Sequence, residues 1–196
     1  MFALSVRFRT PLVLAPGYGG TAILLHWTSA ALIFGLYGLG WWMVTLPLSP
    51  SKFELYALHK SLGLLLLVFS ACRLAWRITR GAPALADGPA WQQHAATLAH
   101  IGLYLMLFAL PLSGWLYNSV VGFPLRFFDL FDAPPLYSAQ PEFRAGARNL
   151  HVWLGYVLLA LIMLHVAAAL HHQFIKRDGT LSRVLPSRRK ATWRRT

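Results

Sequence analysis

Acidic residues are scarce in this chain of 196 residues. Six Asp and Glu stand against 18 Lys and Arg, and charged side chains make up 12% of the whole. An ordinary soluble domain carries roughly 25% charged and about 45–50% apolar residues, whereas this chain is 57% hydrophobic. The shortage of charge excludes a soluble domain and leaves a small integral membrane protein. There is a single cysteine, Cys72, so no intrachain disulfide can form, and no C-x-x-C-H motif is present for covalent haem attachment. The length leaves room for four spanning helices and no second domain. No internal repeat occurs, and no low-complexity segment apart from the C-terminal tail.

What is present is apolar sequence punctuated by positive charge. The formal charge of +12 does not indicate nucleic acid, because the basic residues cluster between apolar segments and in the tail, where lipid orientation accounts for them. Arg7 and Arg9 precede an apolar run much too long for a signal-peptide core, without a small-residue cleavage site, so the first helix is expected to be retained. Spans are expected at about 22–46, 55–76, 91–117 and 149–175, with Pro111 and Gly114 marking a kink in the third. The fold class is all-α, an up-down-up-down four-helix membrane bundle over residues 1–178, followed by a basic tail, 179–196, expected to lie on anionic lipid. The long loop 118–147, with Pro134, Pro135 and Pro141, is expected to cap one end. Thirteen Lys and Arg fall on the side of the termini (Arg7, Arg9, Arg73, Arg77, Arg80 and eight from Lys176 onward) and five on the other. Both termini of this multi-pass chain are therefore expected in the cytoplasm.

Four of the eight histidines lie between Arg148 and Lys176. His151 and His165 are fourteen residues apart, nearly four helical turns, so both rings share one face at levels about 21 Å apart. Imidazoles in hydrocarbon are costly unless paired or ligated. Alternating helix direction pairs His59 with His151 at the outer level and His26 with His165 at the inner one. Each of these four is followed four residues later by a small residue, Gly63, Gly155, Ala30 and Ala169, which leaves room beside the ring. His94, His100, His171 and His172 are followed instead by Leu98, Tyr104, Ile175 and Lys176. One such histidine alone reads as a polar bridge between helices; four that meet both conditions do not. Two histidines per level, with no Cys, Asp or Glu nearby, make a poor zinc or copper site. Two axial imidazoles are what a six-coordinate b-type haem takes. Two haem b groups are therefore expected, with His26, His59, His151 and His165 on the irons. Arg73, fourteen residues after His59, is a candidate partner for an inner propionate or a plain inner-face anchor. Lys60 is expected to snorkel outward.

Several segments resemble the bacterial di-haem cytochrome b561 family: LHW at 25–27, HKSLG at 59–63, FALPLSGW at 108–115, HVWLGY at 151–156 and LHVAAALHHQFIKRDGTLSRVLP at 164–186. The resemblance covers nearly the whole chain. It implies a four-helix inner-membrane electron carrier with haem ligation by His26, His59, His151 and His165. The superoxide oxidase branch of that family implies an electron path from periplasmic superoxide to ubiquinone, with a quinone site on the cytoplasmic side at His100 and His172. Here the histidine doublet begins one residue early, at His171, and is followed by Gln173. Arg126, Arg144 and Arg148 of the outer loop are candidates for steering an anion, against Asp129, Asp132 and Glu142 in the same loop. The competing expectation is a cytochrome subunit that anchors and relays electrons for a periplasmic dehydrogenase or hydrogenase, with FPLRFFDLF as its docking surface. His94 is assigned to the surface.

Overall fold

The computed structural model describes residues 18–81, 83 and 88–185. Arg7, Arg9 and the tail beyond residue 185 lie outside them. Four long helices account for most of the fold: α1 (Gly20–Thr45), α2 (Pro50–Arg80), α3 (Ala90–Val121) and α4 (Arg144–His171). Each contains an apolar window, of mean hydropathy 1.6 to 2.2, long enough to cross a membrane. The chain is a multi-pass membrane four-helix bundle.

The helices overrun the expected spans for local reasons. Pro50 can open α2 because its missing N–H is needed by no partner there, and Ser49 accepts a hydrogen bond from the Lys52 N–H. No breaker interrupts α3 before Gly122, whose left-handed φ of 83° turns its N–H back onto the carbonyls of Asn118 and Ser119. α4 gains a turn at its start, from Arg144 instead of Asn149, and continues beyond His171 as a π-helix (His172–Lys176).

Consecutive helices pack side by side, α1 on α2, α2 on α3 and α3 on α4. The ring is closed between the first and last helices by the Tyr37 hydroxyl, which donates to the Gly155 carbonyl at 2.6 Å. Ile33, Leu66 and Leu107 form the core, joined by Leu36, Tyr104 and Ile162. Large apolar side chains such as Phe34, Val68, Leu105 and Met163 face outward, as lipid requires and water would penalise.

The α3–α4 loop contains a feature the sequence did not announce, an antiparallel hairpin of β1 (Leu125–Phe127) and β2 (Phe131–Ala133). Its turn places Phe128 and Asp129 at φ of 46° and 58°. The hairpin is latched to α2: the Ser61 hydroxyl donates to the Arg126 carbonyl at 3.1 Å and accepts from the Phe128 N–H at 3.0 Å. Lys60 does not snorkel outward. Its ammonium turns to Asn118 Oδ1 at 3.2 Å and the Pro124 carbonyl at 3.1 Å.

At the opposite, terminal end the chain folds back beneath α1. The Arg183 carbonyl accepts from the Tyr18 N–H at 3.2 Å, and the Val184 carbonyl accepts from Trp27 Nε1 at 2.8 Å. Residues 179–185, the start of the tail expected on lipid, are thus held against the bundle, and residues 186–196 lie outside those described.

Candidate cofactor sites

α2 and α4 each carry a histidine near the hairpin end, and the bundle brings the two face to face. The ring centroids of His59 and His151 are 6.5 Å apart and their planes cross at 85°. Both rings open on a cavity of about 340 Å³, together with Gly63 and Gly155. A Cβ added at either glycine would meet nothing within 4 Å, so the space is real on both walls. The opposite sides of the imidazoles are closely backed. A Cβ on Gly40 would come within 3.3 Å of His59 Cε1, and one on Gly114 closer still, within 3.0 Å of His151 Cε1.

Hydrogen bonds settle how His151 is presented. Its Nδ1 lies 3.2 Å from the Leu110 carbonyl oxygen and 3.0 Å from Ser113 Oγ. A carbonyl can only accept, and Ser113 already donates to that carbonyl at 2.6 Å. Nδ1 therefore carries the proton, and the lone pair resides on Nε2, as metal-ligating histidines require. His59 Nδ1 is buried without a hydrogen-bond partner. Native interiors seldom leave a polar atom in that state unless something further belongs beside it.

The terminal end gathers a second group. Arg73 lies 3.0 Å from His26 Nδ1. Because a guanidinium only donates, that nitrogen is the acceptor. Arg73 also lies over the Tyr104 ring, 5.3 Å from its centroid. His165 meets His100 with ring centroids 5.7 Å apart, and both are electrostatic neighbours of His26. His26 itself stands edge-on to Trp27 at 5.4 Å. The third-span histidine thus joins His26 and His165 at the terminal end, and Arg73 addresses a ring instead of standing as a plain surface anchor.

His172 belongs to a different cluster. It begins the π-helix, and its Nδ1 meets Asp178 Oδ2 at 2.5 Å. The other carboxylate oxygen accepts from the Thr180 N–H at 3.0 Å and from its hydroxyl at 2.6 Å. Partial burial by itself would raise the Asp178 carboxyl, but the bonds from Thr180 and His172 outweigh it and hold the group at about 2. His94 and His171 are exposed. Sequence reasoning missed Gly40, Ser113, Tyr37 and Asp178. In the sequence Gly114 reads only as a kink marker beside Pro111, although a small residue facing a helix that bears a histidine is itself a signal.

The family model for prokaryotic cytochrome b561 matches residues 17–187. The chain belongs to the prokaryotic cytochrome b561 family. It is 38% identical to cytochrome b561 homolog 2 of Escherichia coli over 173 residues, which is 86% of this chain and 90% of the relative. Cytochrome b561 homolog 1 of the same organism is 32% identical over 181 residues, 88% and 98% of the two chains. A protein of Yersinia pestis named "Probable superoxide oxidase CybB" is 26% identical over 178 residues, 88% and 97% of the two chains. A prokaryotic cytochrome b561 is a haem-binding membrane protein of electron transfer, and the group this membership implies is haem b. The hairpin-end site suits it: two opposed imidazoles, one orphaned buried nitrogen and a gap bounded by two glycines.

Proposed function

We propose that this cytochrome b561 holds two haem b groups and carries electrons across the bacterial inner membrane, between a donor at the hairpin end and ubiquinone at the terminal end. The hairpin end faces the periplasm and both termini face the cytoplasm, in keeping with the bias of Lys and Arg. The observation that carries the reading is the His59–His151 spacing. Two metal–imidazole bonds of about 2 Å each, with about 1 Å from each nitrogen to its ring centroid, call for centroids about 6 Å apart. The observed separation is 6.5 Å. His59 and His151 are assigned to the outer group, His26 and His165 to the inner one.

Haem iron, when bound, supplies one-electron redox chemistry. The protein's part is to hold and surround it. A haem held by two histidine imidazoles would serve electron transfer rather than oxygen binding. Leu110 and Ser113 fix the His151 tautomer. Arg73 is the cation available to an inner propionate, and for that role it must release His26 Nδ1. His100 and His172 are assigned to the quinone, His100 beside His165 and His172 held by Asp178.

Superoxide is the donor suggested by the Yersinia relative's name. The competing reading, a relay subunit for a periplasmic dehydrogenase or hydrogenase, draws on the hairpin tip, where Leu130 and Phe131 are 76% and 57% exposed. Both are tested on the protein purified in detergent. A reduced-minus-oxidised spectrum with haem quantitation is expected to give two haems per chain. Mixing with superoxide and a quinone is then expected to reduce the quinone. Haem that superoxide fails to reduce would shift the assignment to the relay subunit, and absence of haem would end both.

A further inference from the structure

The cavity between His59 and His151 has an apolar floor and a polar rim. Toward the bundle centre it is walled by Ile33, Leu66 and Leu158. Toward the outer end it is lined by Trp41, Met43 and Val44 of α1 and, from the other three helices, by Tyr56, Tyr117 and Arg148. Tyr56 precedes His59 by three residues on α2, Arg148 precedes His151 by three on α4, and Tyr117 follows Gly114 by three on α3. Because α3 runs opposite to α2 and α4, all three steps lead outward, each rising about 4.5 Å on roughly the same helix face. Three helices thus set two phenol hydroxyls and a guanidinium one turn outside the imidazole level.

None of the three is committed elsewhere. Among the described residues Arg148 makes no ion pair or hydrogen bond, and neither hydroxyl has a hydrogen-bond partner. Lys52 lies over the face of the Tyr56 ring, 6.0 Å from its centroid, and leaves the hydroxyl unengaged. Of the loop's three acids, Asp129 and Asp132 are turned to Arg126, at 3.6 and 3.2 Å, and among the described residues Glu142 forms no ion pair with Arg148.

We propose that Arg148, with the hydroxyls of Tyr56 and Tyr117, is a carboxylate-binding rim that takes a propionate of the haem held between His59 and His151. This rests on the assignment of that haem above. A propionate carboxylate pushed toward Ile33, Leu66 and Leu158 would be buried without a partner, at a cost no apolar contact offsets. Turned outward it meets a planar guanidinium, which binds carboxylates through two parallel N–H donors, and two O–H donors. The rim therefore fixes which edge of the macrocycle faces the outer surface, and Arg148 acts on cofactor retention and potential instead of only attracting a donor.

The same donors would suit a small diffusing anion, and the experiment separates the two. Full-length wild type, R148Q, R148K and the double variant Y56F/Y117F are purified in detergent. Each is assayed for haem transfer to excess apomyoglobin and titrated potentiometrically. R148Q is expected to release the outer haem about tenfold faster or more, and to lower the midpoint of one haem component while leaving the other unchanged. R148K should recover part of the retention, and Y56F/Y117F should show a smaller effect in the same direction. Unaltered haem release and midpoints in R148Q, with a slower bimolecular reaction with superoxide, would overturn the proposal in favour of a free-anion site. Unaltered values in every assay would overturn it outright. Wild type devoid of haem would instead refute the underlying haem assignment.

Discussion

Gly114 sets the position of His151. A Cβ at residue 114 would stand 3.0 Å from Cε1 and 3.2 Å from Nδ1 of that ring, tight enough that the imidazole must give way slightly. The imidazole is wedged between α3 and the cavity it lines, with Nδ1 held by the Leu110 carbonyl. Gly114→Ala is predicted to push the ring off that carbonyl and to abolish the outer haem spectrum while the inner component persists. Gly40→Ala meets His59 at 3.3 Å and is predicted to lower haem occupancy without eliminating it. Haem quantitation with redox difference spectra checks both, and a normal G114A spectrum would contradict the assignment.

Removal of the histidines assigned to the two haems should divide by level. His59→Ala or His151→Ala is predicted to lose the outer haem and keep the inner one, and His26→Ala or His165→Ala the reverse. The measurement is haem per chain, with one redox component missing in each case. Loss of both haems from any single folded variant would contradict the two-level arrangement.

The Tyr37 hydroxyl, donated to the Gly155 carbonyl at 2.6 Å, links the first helix to the last. Its removal in Tyr37→Phe leaves the ring in place and takes away one hydrogen bond, worth about 0.5–1.5 kcal/mol. A lower thermal midpoint in detergent is expected, together with weaker haem retention, because Gly155 lines the same cavity. An unchanged midpoint would show that the bond is incidental.

Asp178 makes the terminal end sensitive to acid. Its carboxyl is held at about 2, below the ordinary value of 3.8. A group depressed on folding contributes stability that is present above the ordinary value and is lost as pH falls through the folded one. Wild type should therefore lose an increment of stability between about pH 4 and pH 2, and Asp178→Asn should lack that increment already at neutral pH. Solvent around the pair keeps it to about 1 kcal/mol or less. Thermal melts of the two proteins across that range are expected to converge at the acid end. Parallel curves would mean that the bonds from Thr180 and His172 add nothing to stability.

The parts of this fold that could be read from the chain are those with a local period. Helix direction and 3.6-residue spacing sort the histidines into levels, and the small residue one turn beyond each ring, Gly63 or Gly155, lies on the same helix as its histidine. The backing glycines were out of reach, because the contacts of Gly40 with His59 and of Gly114 with His151 depend on how neighbouring helices cross. The hairpin was hidden for another reason. Its turn is built on Phe128 and Asp129 in left-handed conformations instead of the glycine or asparagine that would announce it. Arg73 was placed at the inner level by spacing alone, but only coordinates reveal that its guanidinium reaches the His26 ring. Asp178 falls just beyond the last span, where the chain reverses with Arg177 at a φ of 54°, and sequence offers no rule that returns it to His172.

The hydrogen bond from Trp27 to Val184 joins residues 157 positions apart. It implies an order of biogenesis. A nascent chain carrying only its first three helices lacks the Val184 acceptor, the Gly155 carbonyl and the second wall of the cavity, so insertion of the final helix precedes cofactor loading. Ribosome-stalled intermediates ending before residue 144 should accordingly remain colourless in the membrane.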